Sequence, residues 1–136
     1  VKLIIYDIPG FGDFDVKPMM TMNQIKTLQS KNGHPFDALL ICAKACDGSL
    51  KVGPRLVQQM VEIAFSGIPE EERWQCVAWV GTHGDLCKGD AKYHFTVTKL
   101  DMLNSKLKAG KIERTCVIDC LPINDVTQSS GVEPLR

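Results

Sequence analysis

Two aspartates follow apolar runs and open glycine-bearing loops. Asp7 sits in Val1–Asp15, VKLIIYDIPGFGDFD, and Asp85 closes Trp74–Asp85, WQCVAWVGTHGD. A carboxylate delivered by a strand to a turn with a mobile glycine suits a magnesium-phosphate site. Asp7 would orient a magnesium-bound water, and the Gly10 amide would donate to a terminal phosphate oxygen. Asp85 can accept two hydrogen bonds from a base edge that carries an imino and an amino N–H. Guanine has that edge and adenine does not. The flat imidazole of His83 can lie over such a base. Each residue also has a plainer reading. Asp7 is then a solvated residue before a Pro-Gly turn, Asp85 a cap for the following loop, and His83 an exposed loop histidine. By the same plain reading, Asp13 and Asp15 solvate the loop, and His34 and His94 are exposed or capping residues.

Both aspartates need elements to hold them. Val1–Tyr6 is apolar apart from Lys2 and reads as a strand covered on both faces. Thr21 or Asn23 can cap a helix through Lys31, with Ile25 and Leu28 on one face; the preceding methionines read as packing residues. Phe36–Ala43 reads as a second covered strand. A helix follows, with Pro54 in its first turn and Leu56, Val57, Met60, Val61 and Ala64 on its packing face; Gly67 and Pro69 stop it. Glu70–Arg73 is a solvated charge run. Trp74–Gly81 is a third strand, Tyr93–Ala109 a third helix closed by Gly110, and Thr115–Leu121 a fourth strand. Residues 124–136 read as a loop or frayed end. The alternation predicts a three-layer α/β fold with a mostly parallel sheet of about four strands and flanking helices. In such a sheet ligands bind beyond the carboxyl ends of the strands, which would bring Asp7 and Thr82–Asp85 to one rim.

Composition narrows the partners. The 136 residues suffice for one domain. Lysine plus arginine and aspartate plus glutamate number 16 each, so the net charge is zero and no general grip on nucleic acid or a membrane surface is expected. No apolar run has the length of a transmembrane span, and no signal peptide is evident. The six cysteines form no CxxC knuckle and meet no paired histidine spacing, so zinc is not expected. A reduced, cytoplasmic setting is.

Asp7-Ile8-Pro9-Gly10-Phe11-Gly12-Asp13 resembles the DxPGFGD form of the third GTPase motif, found in septins and, with variation, in the AIG-type (avirulence-induced-gene, immunity-associated) GTPases. Thr82-His83-Gly84-Asp85 resembles the AIG-type form of the fourth motif, which most GTPases write NKxD. The likeness covers essentially the whole chain, as a partial G domain over residues 1–136 that begins at the third motif. It implies that Asp7 holds Mg2+ through water and that Gly10 senses the γ-phosphate. Asp85 would read guanine, His83 would cover it, and Thr82 would tie the loop to its neighbours. The ligands would be GTP/GDP and Mg2+. The fifth motif should lie near Cys120–Asn124, where no clear match occurs; Asn124 is the candidate guanine contact.

The sequence also departs from that pattern. No GxxxxGK[ST] phosphate loop occurs, nor a first-switch threonine before the third motif. Either part of the domain lies upstream, or the gene product is truncated. In that fold the strand leading into the phosphate loop lies between the strands beginning at Val1 and near Phe36. Phe11 stands where Ras-like enzymes carry a water-orienting glutamine. Hydrolysis would then borrow a group from elsewhere, such as a second protomer in a homodimer or oligomer. The expectation is a guanine-nucleotide switch with GTP hydrolysis in the parent protein, stimulated by self-association. The alternative is a nucleotide-free GTPase-like interaction or assembly module. A receiver-like domain would need clustered acids that the chain lacks.

Overall fold

The computed structural model describes residues 2–8, 17–46 and 53–120. Helix α1 spans Pro18–Asn32, opening on proline, whose missing N–H is no loss in a first turn. It therefore begins before the Thr21 or Asn23 start read from the sequence. Gly33 ends it at φ 74°, a left-handed conformation that suits glycine, with its N–H on the Gln29 carbonyl at 3.1 Å. Met22 and Ile25 are buried, while Met19 and Met20 are exposed, so only part of the methionine cluster packs.

Three strands form the sheet among the described residues: β1 Leu39–Lys44, β2 Val77–Thr82 and β3 Arg114–Val117. Their order is β1-β2-β3 and both pairings are parallel. Parallel neighbours need crossovers. Helix α2, Pro54–Ala64, lies in the first crossover, followed by the helical turn α3, Glu70–Arg73. In the second, α4, Ala91–Tyr93, continues through a π-helical stretch, His94–Lys99, into α5, Leu100–Asn104. The register sets Lys44 beside Thr82 and Gly81 beside Val117, aligning the carboxyl ends of all three strands.

One core joins helices to sheet. Leu39, Ile41 and Ala43 of β1 and Val77 and Trp79 of β2 pack with Met22, Ile25, Val57, Val61, Phe65, Phe95 and Leu103. Trp79 stacks on Phe95 with ring centroids 4.9 Å apart, and its indole N–H donates to the Phe95 carbonyl at 3.3 Å. The intervening β1 residues Leu40, Cys42 and Lys44 are exposed. Thus β1 is covered on one face, and among the described residues the helical core lies on that side. The third layer expected from the sequence is not seen there.

The opening strand is not formed either. Lys2–Ile8 has no strand assignment, and Leu3 and Ile5 are 80% and 73% exposed. Extended backbone becomes a strand only when its N–H and C=O groups find a ladder. Among the described residues none pairs with this segment. It is tethered instead by side chains. The Tyr6 hydroxyl meets Asn32 Oδ1 at 3.2 Å, the Tyr6 ring stands edge-on to Phe36, and Ile8 packs against the core.

Boundaries also shift around Trp74. Trp74–Cys76 forms a 3-10 turn and the strand starts at Val77. Helix α5 ends at Asn104, so Gly110 does not close it. Gly110 has another role: a Cβ there would collide with the Trp74 indole. Asn104 sets the approach to β3. Its Nδ2 donates to the Ile112 carbonyl at 2.9 Å, and its Oδ1 accepts the Ile112 N–H at 2.8 Å.

Candidate functional site

At the carboxyl edge of β2 the chain reverses in one step. His83 adopts φ 58°, ψ 39° and is the only non-glycine with positive φ among the described residues. A left-handed residue with a Cβ costs about 1–2 kcal/mol, so neighbours must hold it. They do so on both sides. The Ala45 N–H donates to the Thr82 carbonyl at 2.9 Å, and the Thr82 hydroxyl lies 3.5 Å from the Ala43 carbonyl and 2.9 Å from His83 Nδ1. A hydroxyl both donates and accepts, so Thr82 can serve the Ala43 carbonyl and His83 Nδ1 together.

The other side is the segment leaving β3. Ile118 N–H donates to the Gly81 carbonyl at 2.8 Å, and Gly84 N–H to the Ile118 carbonyl at 2.9 Å. His83 N–H points at Cys120 Sγ at 3.3 Å, and Cys120 N–H donates to Asp85 Oδ1 at 2.9 Å. The exposed Asp85 is therefore held by a backbone donor from another strand's exit. A carboxylate accepts several hydrogen bonds, so this one leaves capacity for others. Gly84 permits the close approach. A Cβ there would lie 2.8 Å from Asp119 Oδ1, 2.8 Å from Val117 Cγ1 and 3.2 Å from the Ile118 carbonyl oxygen.

Two thiols report the local electrostatics. Burial pushes Cys87 up from its ordinary value. Cys46, Asp85 and Asp119 add to this by repelling a thiolate, and Lys92 opposes them. Cys87 Sγ lies 3.7 Å from the His83 carbonyl it faces. Burial likewise raises Cys42, with Cys116 and then Asp7 contributing. Cys42 is an exposed residue overall, so it is local shielding of the sulfur that matters. Asp7 thus lies close enough to β1 to act on Cys42, two residues before the strand ends.

Thr82, His83 and Asp85 share one turn. Asp7 is exposed, on irregular backbone, and among the described residues no hydrogen bond joins it to that turn. Gly10 and Asn124, with Phe11, lie outside the described residues. A single carboxylate suits Mg2+, which keeps several waters and takes its other ligands from phosphates. Among the described residues no three of His, Cys, Asp and Glu are grouped to hold a metal by themselves. The sequence reading gave no role at this turn to Asp119, Cys46 or Cys87, and reached Cys120 only as the start of the expected fifth-motif segment. Their proximity depends on strand register and loop paths, which no local motif encodes.

No family model matches this chain, and no curated protein and no solved structure is significantly similar to it.

Proposed function

We propose that this chain is part of a guanine-nucleotide-binding switch of the AIG type, whose parent protein hydrolyses GTP with stimulation by self-association. The observation that carries this reading is the Thr82–Asp85 turn, which holds an exposed carboxylate at the carboxyl edge of a parallel sheet. Asp85 would accept the N1–H and the exocyclic N2–H of guanine, and the His83 ring would cover the base. Asp7 would hold Mg2+ through water and Gly10 would meet the γ-phosphate, with Asn124 a further guanine contact. The metal would neutralise phosphate charge as the β–γ bond breaks. Phe11 has no hydrogen-bonding side chain, so the water-orienting group would come from a second protomer.

Without a phosphate loop in these 136 residues, binding by this chain is expected to be weaker than micromolar. Titration with GDP and ADP, with Mg2+ present, tests the site. GDP should bind measurably tighter than ADP, and Asp85→Asn should remove the difference. The same substitution should favour xanthosine diphosphate, whose C2 carbonyl accepts from the new amide. Equal GDP and ADP binding, or an unaffected Asp85→Asn variant, would refute the guanine assignment. A second reading, a nucleotide-free assembly module, is favoured by the exposed apolar side chains of Leu3, Ile4, Ile5 and Leu40. Concentration-dependent self-association with no nucleotide effect would support it.

A further inference from the structure

The thiols are not scattered at random over the fold. Cys42 and Cys116 flank Val80 in one register row, two strands apart. Neighbouring strands lie about 4.8 Å apart, so these two Cα atoms are separated by roughly 10 Å. A disulfide needs its Cα atoms within about 7 Å, so that pair cannot close without tearing the sheet. Cys46 and Cys87 are placed differently. Cys46 follows Ala45, whose N–H is bonded to the Thr82 carbonyl at 2.9 Å. Cys87 returns to the same corner, its Sγ 3.7 Å from the carbonyl of the next residue, His83. The Cys46 backbone and the Cys87 thiol therefore both adjoin the Thr82–His83 step, one from the end of β1 and one from the turn after β2, and Cys46 is near enough to raise the Cys87 thiol. All six cysteines are free thiols in this structure.

We propose that Cys46 and Cys87 form a peroxide-sensitive thiol pair that closes into a reversible disulfide, fastening the end of β1 to the turn that carries His83 and Asp85. Cys46 is exposed and Cys87 half-buried, which sets the order of events. The Cys46 thiolate attacks a peroxide oxygen; the O–O bond breaks, Cys46 becomes a sulfenic acid and the peroxide leaves as an alcohol or water. Cys87 then attacks the Cys46 sulfur, the S–O bond breaks and water leaves, taking the Cys87 proton. Two thiols are oxidised by two electrons and one peroxide is reduced. The elevated Cys87 value makes the second step speed up as pH rises, because the thiolate is the attacking form. Closure also removes the Cys87 thiol from the His83 carbonyl, so the bond changes the very turn it fastens.

The test uses the full chain, reduced, desalted and treated with equimolar hydrogen peroxide. The expected product is an intramolecular species lighter by two hydrogens, restored by a dithiol reductant. A digest without reduction should join the peptides carrying Cys46 and Cys87. Cys46→Ser, at an exposed position, should keep the fold and lose the mass change; Cys87→Ala should do the same. A product linked through Cys120 or any other cysteine would overturn the proposal. So would a mass loss that survives Cys46→Ser, or both thiols passing to sulfinic acids without linkage.

Discussion

Gly84→Ala tests the packing that holds the candidate site together. The new Cβ would lie 2.8 Å from both Asp119 Oδ1 and Val117 Cγ1, and 3.2 Å from the Ile118 carbonyl oxygen. The first two are side-chain atoms and can turn aside. The third is backbone, and it accepts the hydrogen bond of Gly84's own N–H at 2.9 Å. It cannot retreat without stretching that bond. Overpacking of this kind costs about 1–3 kcal/mol, and the backbone contact argues for about 2 kcal/mol. For a domain this size, with a urea m-value near 1.5 kcal/mol/M, the unfolding midpoint should fall by about 1–1.5 M. A double-mutant cycle isolates the cause. Val117→Ala removes one of the clashing atoms, so Gly84→Ala should cost less in that background, by roughly 0.5–1 kcal/mol. A midpoint unmoved by Gly84→Ala, or equal costs in both backgrounds, would refute the close-approach reasoning.

Asn104→Ala deletes both hydrogen bonds to Ile112, a residue 1% exposed, and leaves a buried N–H and C=O unpaired. The expected loss is about 2–4 kcal/mol, read by urea denaturation; a loss within error would show that water replaces the amide. Burial, with nearby negative groups, raises the Cys87 and Cys42 thiols, so the folded state holds their protons longer than the unfolded chain does. Above the unfolded thiol value of about 8.5 the unfolded state binds fewer protons, and stability falls until the folded thiols ionise too. Urea midpoints should therefore drop from about pH 8 upward, and a Cys42→Ser, Cys87→Ser double variant should flatten that slope. Asp7→Asn removes one of the charges that oppose ionisation of Cys42. Alkylation of Cys42 at about pH 8 should quicken by only a fraction of the tenfold that a whole pKa unit gives, because burial is the larger cause. An unchanged rate would place Asp7 away from β1.

The sequence was read well where a physical rule acts over a few residues. Pro54 and the spacing of Val57, Met60, Val61 and Ala64 placed α2, and those four residues are its buried face. Gly33 marked the end of α1 because a left-handed C-cap suits glycine. Thr82, His83 and Asp85 were picked out together, and a turn four residues long keeps them together in any fold that ends β2 there.

What failed was whatever depends on a partner distant in the chain. Residues 3–6 have strand-forming side chains, yet a strand also needs a ladder, and among the described residues Lys2–Ile8 has none. Phe36–Ala43 looks covered on both sides, but coverage belongs to the layers around a strand, and Leu40 is left 58% exposed. Gly110 looked like a helix stop and instead makes room for the Trp74 indole. Composition and periodicity therefore determined the parallel α/β arrangement and the packing face of α2. Only tertiary structure decided that the segment leaving β3 closes on that turn, because register, not local sequence, brings the Cys120 N–H within 2.9 Å of the Asp85 carboxylate.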